Sequence, residues 1–505
     1  MSQNGRGGTP KRALAALAVS AVALLGVVAA GAPAYAAPEL GGIDPEASGS
    51  IIVHKHEHQT GSEQVSQSPD GTGPAIPTPG IADVTFTAYP LLTGEGEAID
   101  LSDPDAWDQL DGLQAGADCS APSGYQLGAA LTPATTDASG TATIPTEMGV
   151  YVVCETAAPA QVVDRAAPFI VTVPYPFEGA WLTDVHVYPK NGVTSVSKTI
   201  SAQQGLGLGS TVEFPVTVKV PALAAGRSFT SFDISDTLDP RLTPSPAADG
   251  IGVGIKSISV DGASVLASNF SATASGQTVT LSFASAPGLA YLRTLAGKEI
   301  VVTFQGTVTS LGDGVIENTA FETVNGTKFT TNTVRTNWGD VVVKKVDATS
   351  KATLAGAKFE VYAATDPYAA DCTSATPTGA ALQVSGASEF TTGTNGQVTV
   401  PGLFVSDSEN ETKNAAQRCY VLKEIAAPAG YVTPTGAAAL FPIAVKTGAT
   451  ADVDVTVENV QQRVPGLPLT GSAGALMLSL AGGALLIAAA GTGLLISRRR
   501  TARAE

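Results

Sequence analysis

Short segments of alternating apolar and polar residues, separated by glycine and proline, constrain the fold of this chain more than any other feature. Examples are Ile170–Val173, Val216–Val220 and Thr278–Phe283. The chain has 54 glycines and 32 prolines among 505 residues, and no long apolar stripe with helical spacing is evident between its two ends. Apolar residues that recur with a period of two, bounded by turn residues, predict β-strands. We therefore expect an all-β protein built from β-sandwich domains.

The two ends of the chain carry a different pattern, in which long apolar runs are flanked by basic residues. Near the start, three basic residues precede an apolar run that is followed by Ala34-Tyr35-Ala36, which predicts a secretory signal peptide over residues 1–36. Near the end, the run 473–496 is about long enough to cross a bilayer as one helix, and four arginines follow it. Basic residues stay on the cytoplasmic side, so we expect residues 37–470 to lie outside the cell.

The charge of the chain excludes one class of partner. The formal net charge is −17 at pH 7. Binding to nucleic acid requires basic residues that neutralise phosphates, so we expect no nucleic-acid partner. A soluble surface that repels its own copies is the plain interpretation.

The cysteines fall as two pairs along the chain, and their order is Cys119, Cys154, Cys372 and Cys419. In a secreted protein, the bonds Cys119–Cys154 and Cys372–Cys419 are favoured over the two pairings that link distant segments. The cysteine spacings fit no zinc-site pattern.

One predicted strand, residues 50–58, carries three histidines on a single face: His54, His56 and His58. A metal site is one interpretation, because alternate residues of a strand converge on one side. A solvated strand face is the other, and we favour it, since no cysteine is near and His186 is the only further histidine in the chain. We therefore predict no metal site.

The opposite face of that strand continues its apolar residues with Lys55, and a buried lysine needs a partner. The same alternation places an acid and an asparagine on inward faces further along the segment. This order of lysine, acid and asparagine occurs three times: Lys55, Glu155 and Asn191; Lys198, Asp236 and Asn318; Lys345, Glu424 and Asn459. One such set could be an ion pair that arose by chance. Three sets in the same order are harder to explain by chance, because a rare buried charge cluster would have to arise each time.

Buried together, these three groups have a specific chemistry. Desolvation lowers the pKa of a lysine and raises that of a carboxylic acid, because both charged forms lose their hydration. The neutral amine is a nucleophile, and the protonated acid can hydrogen-bond the asparagine amide oxygen. Attack on the side-chain carbonyl would expel ammonia and leave an amide crosslink, with packing holding the reactants together. Neither a cofactor nor a separate enzyme is needed.

Three linear motifs occur in the chain. Trp181 to Lys190 fits the pilin motif WxxxVxVYPK, and Tyr420 to Tyr431 fits the E-box YxLxETxAPxGY, with Ile425 in place of its threonine. The third motif is the LPxTG cell-wall sorting signal, here followed by the apolar run and the basic tail: Leu467, Pro468, Leu469, Thr470 and Gly471.

With these three motifs the chain resembles the SpaA-type backbone pilins of sortase-assembled Gram-positive pili, and the resemblance implies a covalent polymer. A pilin-class sortase would cut between Thr470 and Gly471, hold the threonine as a thioester, and join it to Lys190 of another copy of the chain. A housekeeping sortase would attach the polymer to peptidoglycan, and accessory pilins would be further partners. The self-formed Lys–Asn isopeptide bonds of this family match the three sets above, although the segment around Glu155 is only E-box-like. No cofactor and no enzymatic activity are implied.

The resemblance also implies three tandem immunoglobulin-like β-sandwich domains, which are CnaB-like, CnaA-like and CnaB-like in order. We expect a fresh strand to open at Trp338-Gly339-Asp340, between the second and third domains. The expected division is 1–36 for the signal peptide, 37–191 for the N-terminal domain ending in the pilin motif, 192–337 for the middle domain, 338–463 for the C-terminal domain with the E-box, and 464–505 for the sorting signal, transmembrane helix and basic tail.

Two other functions stay open on the sequence. A wall-anchored adhesin or accessory pilin that binds a host ligand would carry the same sorting signal, but it needs no acceptor lysine at Lys190. A secreted wall enzyme would need a catalytic constellation, and four histidines, three of them in one strand, offer few candidates for a Ser-His-Asp triad. We therefore expect the major structural subunit of a cell-wall-anchored surface pilus that supports adhesion.

Overall fold

The computed structural model of the chain describes residues 41–60, 65–247, 251–410, 412–463, 479–488 and 491–492. The predicted signal peptide and LPLTG motif lie outside these residues. In the predicted apolar run, residues 479–488 and 491–492 are helical, and no described helix is both long and apolar enough to cross a membrane. The rest of the described chain is built mainly from strands in successive groups of sheets, which confirms the prediction of tandem all-β domains.

The N-terminal domain has sheets with the strand orders β12-β1-β6, β4-β3-β7-β9 and β2-β13-β8, where β5 pairs with β3 and β10 pairs with β11. Ile51, Phe86, Ile144 and Val153 belong to its buried core. Its elements are β1 (Ser48–His54), β2 (His56–Glu57), β3 (Thr85–Thr93), α1 (Pro104–Leu110), β4 (Tyr125–Leu127), β5 (Ala134–Thr135), β6 (Thr141–Glu147), β7 (Gly149–Ala157), β8 (Val162–Asp164), β9 (Phe169–Val173), β10 (Tyr175–Phe177), β11 (Ala180–Leu182), β12 (Asp184–Val187) and β13 (Lys190–Val193).

The middle domain has two sheets, β14-β15-β22-β18-β19 and β20-β21-β16-β24-β25, where β17 pairs with β22. Its strand β15 alternates strictly between buried and half-buried residues, as a strand with one face on a core must. The elements are β14 (Val196–Lys198), β15 (Thr211–Lys219), β16 (Phe232–Thr237), β17 (Leu242–Pro244), β18 (Ile255–Val260), β19 (Ala263–Ser264), a 3₁₀ turn (Ala267–Asn269), β20 (Ser271–Ser275), β21 (Thr278–Ser282), α2 (Ala286–Thr294), β22 (Glu299–Val308), β23 (Val315–Asn318), β24 (Ala320–Val324) and β25 (Thr327–Thr330).

The C-terminal domain has the sheets β23-β26-β30, where β33 pairs with β26, and β28-β27-β31-β32, where β29 pairs with β27. Tyr420, Leu422 and Val457 belong to its core, which is continuous with the core of the middle domain. The elements are β26 (Val334–Asp347), β27 (Lys358–Ala364), β28 (Pro377–Thr378), β29 (Phe390–Thr391), β30 (Gln397–Asp407), β31 (Gln417–Ala426), a 3₁₀ turn (Gly436–Ala439), β32 (Leu440–Lys446) and β33 (Val455–Asn459).

Strand β26 corrects one sequence prediction. No fresh strand opens at Trp338, because β26 begins at Val334 and runs without a break to Asp347. Its first half pairs with β23 and its second half with β33, and its register against β30 shifts around Trp338 and Gly339. A Cβ on Gly339 would stand 1.7 Å from the carbonyl oxygen of Lys446, so only glycine lets the strand pass this point. One strand therefore belongs to both the middle and the C-terminal domains.

The first and last strands of the two outer domains pair in parallel. In the N-terminal domain β1 pairs with β12 and β2 pairs with β13. In the C-terminal domain β26 pairs with β33. Residues from the two ends of each domain segment are thus brought side by side, although they are far apart in the sequence.

Candidate functional site

In the N-terminal domain, the side chains of Lys55, Glu155 and Asn191 lie together and are almost fully buried. The Lys55 Nζ atom is 2.9 Å from Glu155 Oε2 and also donates a hydrogen bond to Asn191 Oδ1. Asn191 Nδ2 donates to the other oxygen of the acid, Glu155 Oε1, at 2.8 Å. The acid thus contacts both the amine and the amide, which also contact each other.

In the C-terminal domain, Lys345, Glu424 and Asn459 repeat this arrangement. Lys345 Nζ is 2.9 Å from Glu424 Oε2 and donates to Asn459 Oδ1. Asn459 Nδ2 donates to Glu424 Oε1 at 2.7 Å. All three residues are buried.

In the middle domain, Lys198, Asp236 and Asn318 are also buried together, but their contacts differ. A single oxygen of the acid, Asp236 Oδ2, accepts from Lys198 Nζ and, at 3.1 Å, from Asn318 Nδ2. Asp236 Oδ1 and Asn318 Oδ1 are buried and have no hydrogen-bond partner among the described residues. The acid here stands between the amine and the amide.

The protonation of these groups follows from their burial. Burial lowers the pKa of Lys55 to about 8, although Glu155 acts in the opposite direction. Burial also lowers the pKa of Lys198 and of Lys345, and it raises the pKa of Asp236. Desolvation therefore moves the lysines towards the neutral amine and Asp236 towards the neutral acid. These are the forms that attack on an amide carbonyl requires.

Sequence reasoning missed several groups that touch these sets. The Ala166 N–H donates to Asn191 Oδ1 at 2.7 Å, where it would stabilise charge developing on that oxygen. Lys55 Nζ lies 5.6 Å from the ring centroid of Phe86, and Lys198 Nζ lies 5.0 Å from that of Phe214. A backbone N–H leaves no sequence signal, and the two phenylalanines read only as core residues of strands.

The pilin-motif lysine, Lys190, is the first residue of β13 and pairs with His56 on the neighbouring parallel strand. It is half-buried. Burial lowers its pKa as well. Alternation along β13 separates it from its neighbour Asn191, which is fully buried in the core. Lys190 and Asn191 are adjacent in one strand, but the Lys190 side chain is half-buried near the surface and the Asn191 side chain lies in the core.

The tryptophan of the pilin motif is held at the other end of that segment. Trp181 packs against Trp107 of α1, with ring centroids 5.6 Å apart, and its Nε1 donates to the carbonyl oxygen of Gly41 at 3.1 Å. The first residue of the pilin motif, Trp181, is therefore fixed by contacts with Trp107 and Gly41, and the last residue of the motif is Lys190.

Two disulfides are formed, Cys119–Cys154 and Cys372–Cys419. The first links Cys119, in the loop after α1, to Cys154 of β7, the residue before Glu155. The second joins a loop to β31, the strand that carries Glu424. Each disulfide thus braces the strand on which an acid of the buried sets is placed.

The histidine face of the first strand is packed rather than free. His54 Nε2 is hydrogen-bonded to His186 Nδ1 at 2.8 Å, and its ring stacks on Tyr188. His56 Nδ1 contacts the carbonyl oxygen of Thr78 at 2.8 Å. The described residues contain no group of histidine, cysteine or acidic side chains arranged to hold a metal ion.

Three families of known domains match successive parts of the chain. Residues 46–192 match the N-terminal domain D1 of Gram-positive pilin subunits. Residues 189–338 match the C2 terminal domain of cell surface antigen I/II. Residues 339–459 match the SpaA prealbumin-like fold domain.

Similar proteins cover nearly the whole chain. The fimbrial subunit type 2 of Actinomyces naeslundii is 37% identical over 93% of this chain and 93% of its own length. The fimbrial subunit type 1 of Actinomyces viscosus is 28% identical over 92% and 93%. In fold, the chain resembles the full-length major pilin SpaD of Corynebacterium diphtheriae, with a TM-score of 0.65 and 24% identity over 84% of this chain and 99% of that one. The chain therefore belongs to the SpaA-type pilins, the structural subunits of Gram-positive fimbriae.

Proposed function

We propose that this chain is the major structural subunit of a covalently polymerised cell-surface pilus. The observation that carries the proposal is the burial, once in each domain, of a lysine and an asparagine that both contact one carboxylic acid. A buried ion pair kept only for stability does no better than well-packed apolar residues of similar volume. Three such sets are better explained as the reactants of three internal crosslinks.

Each internal crosslink would form by the same steps. The neutral lysine amine attacks the asparagine Cγ, while the neighbouring acid hydrogen-bonds the amide and moves protons between the two nitrogens. A bond forms between Nζ and Cγ, the bond between Cγ and Nδ2 breaks, and the nitrogen leaves as ammonia with a proton from the amine. The packed core supplies the effective concentration of the reactants.

The positions of the crosslinks suit a fibre under tension. Lys55 and Asn191 join the first and last strands of the N-terminal domain, and Lys345 and Asn459 do the same in the C-terminal domain. A force applied along the chain would meet a covalent bond before it could peel these strands apart. This supports an internal bond in each of the two outer domains as part of the function.

Between subunits, a pilin-class sortase would join Thr470 of one copy to Lys190 of the next. The half-buried position of Lys190 at the start of β13 supports this role, since the amine is near the surface and partly desolvated. A housekeeping sortase would then link the polymer to peptidoglycan, which anchors it in the cell wall. Accessory pilins would join the same fibre, and adhesion would follow from its length.

The test is mass spectrometry of pili released from the cell wall. Protease digestion should yield a branched peptide in which the Thr470 carbonyl is bonded to the Lys190 Nζ. Material from a Lys190→Arg strain serves as the control and should lack this peptide. Polymers whose subunits are joined at another lysine, or a chain found only as monomer in the wall, would contradict the proposal.

A further inference from the structure

Three residues on or next to neighbouring strands form a row on a face of the N-terminal domain that middle-domain segments partly cover, so that Asp164 is buried there. In the β2-β13-β8 sheet, Glu57 pairs with Asn191, so His58 follows in register beside Gly192, and the His58 N–H donates to the Asn191 carbonyl at 2.9 Å. Gly192 in turn pairs with Asp164 on β8. The row therefore runs His58, Gly192, Asp164 across three strands.

The outer two side chains of the row approach each other across the glycine without a hydrogen bond between them, and Asp164 Oδ2 accepts one from the Ala224 N–H at 2.7 Å. His58 Nε2 stands 4.0 Å from Asp164 Oδ2 across Gly192. A Cβ at Gly192 would lie 3.0 Å from the Asp164 Cβ and 2.5 Å from the Ala222 carbonyl oxygen. Any other residue at this position would clash with the Ala222 carbonyl and crowd Asp164.

Lys190 stands on the same face, two residues before Gly192 on the same strand. Side chains at alternate positions of a strand share a face. Diagonal neighbours on adjacent strands lie within reach of a long side chain. Lys190 is directly opposite His56 and diagonal to His58. The flexible amine of Lys190 can therefore reach the His58 imidazole.

Burial favours the neutral form of the His58 imidazole by lowering its pKa. Burial and the positive charges of Lys190 and Lys55 lower its pKa, and Asp164 opposes them. Arg227 and Arg293 approach from the middle domain, across a cleft of about 430 Å³ that His58 lines. Arg227 Nε is also 3.6 Å from Asp164 Oδ1. A neutral imidazole at this site can accept a proton.

We propose that His58, which lies 4.0 Å from Asp164 across Gly192, accepts the proton that Lys190 must lose when it is acylated. This inference rests on the proposed function, in which Lys190 is the acceptor amine. As the Lys190 nitrogen bonds to the thioester carbonyl it becomes positively charged and acidic. His58 takes that proton, the C–S bond breaks, and the sortase thiolate leaves and is then protonated. The polymerising subunit thus contributes a base of its own to the transfer.

The test measures acylation of the mature full-length chain by a pilin-class sortase, with an LPLTG peptide as the acyl donor. The readout is the initial rate at which Lys190 gains the peptide, followed by mass spectrometry. His58→Ala should slow this rate at pH 7 by about 100-fold or more, the contribution of a general base. Added imidazole, which can enter the cleft beside residue 58, should restore much of the rate. His56→Ala, on the same face, should stay within about twofold of the parent chain and respond little to imidazole, since it keeps the base.

The outcomes separate this inference from the function on which it rests. If the parent chain is not acylated at Lys190, the proposed function fails and the role of His58 with it. If the parent chain is acylated and His58→Ala reacts equally fast, only the role of His58 is overturned. A slow His58→Ala that imidazole does not rescue, with an unchanged thermal midpoint, also overturns it, because a lost base should be replaceable.

Discussion

Lys345 donates a hydrogen bond to the side-chain carbonyl of Asn459 across two parallel strands, although 114 residues separate them in the sequence. Lys345 is opposite Val457, so the asparagine lies two residues beyond the position facing the lysine. The N-terminal domain has the same offset, because Lys190 faces His56 and Asn191 is therefore two residues beyond the position facing Lys55. The two outer domains thus place their lysine–asparagine pairs by the same offset in strand register.

The first prediction concerns the acid of the C-terminal set. Glu424→Ala should leave Lys345 and Asn459 unlinked, because the acid contacts both groups and would carry protons between them. The intact mass of the purified variant, corrected for the substitution, should exceed that of the parent by one ammonia. Glu458→Ala, an exposed acid beside Asn459, is the control and should leave the crosslink in place. Equal ammonia loss in Glu424→Ala and parent would refute the role of Glu424.

The second prediction concerns the middle domain. The intact mass of Asp236→Ala, corrected for the substitution, should also exceed that of the parent by one ammonia. The middle domain of this variant should be easier to digest, because its first strand would no longer be linked covalently to β23. Limited proteolysis with mapping of the cuts measures this. Asp233→Ala, on the same strand with its side chain on the other face, is the matched control. A protected middle domain in Asp236→Ala would count against a crosslink there.

The third prediction uses a buried acid outside the three sets. Glu322 is fully buried, has no ion pair among the described residues, and lies 2.8 Å from the Thr194 hydroxyl, which is also 2.8 Å from the Lys219 carbonyl oxygen. The Thr194 hydroxyl has one proton and cannot donate it to both Glu322 and the Lys219 carbonyl. A protonated Glu322 can donate to the Thr194 oxygen while Thr194 donates to the carbonyl, so that all three groups are hydrogen-bonded. Burial accordingly raises the pKa of Glu322 to about 8.

The raised pKa of Glu322 determines how the free energy of unfolding changes with pH. Below pH of about 4.5 Glu322 is protonated in both the folded and the unfolded chain. Between there and about pH 8 only the unfolded chain releases the proton, so the free energy of unfolding falls as pH rises, by at most about 1.4 kcal/mol per pH unit. Glu322→Gln should remove that decline in denaturant titrations from pH 5 to 8. The exposed Glu317→Gln is the control, and an unchanged slope in Glu322→Gln would exclude a neutral Glu322.

The fourth prediction concerns the acceptor lysine in cells. Lys190→Arg should abolish the high-mass ladder of wall-released protein on a denaturing gel, because arginine stays protonated and is no nucleophile. The monomer should remain folded and keep the proposed internal crosslinks, which would use Lys55, Lys198 and Lys345. Lys358→Arg, an exposed lysine paired with Glu389, should give a normal ladder. A normal ladder from Lys190→Arg would remove Lys190 as the acceptor.

The sequence by itself determined which face of a strand each residue takes, because side chains alternate with a period of two that needs no partner strand. That local rule is why the β fold and the inward direction of Lys55, Asp236 and Lys345 could be predicted. The linear motifs, such as the one ending in Lys190, were likewise readable without a structure.

Only the tertiary structure decided which strands meet and in what register. It placed Lys345 beside Asn459, set Asp236 between Lys198 and Asn318, and carried β26 through Gly339 without a break. It also brought His58 to Asp164 across Gly192. Alternation repeats identically along every strand, so it carries no information about the partner. The pairing is chosen by the packing of whole sheets, which is a property of residues far apart in the chain.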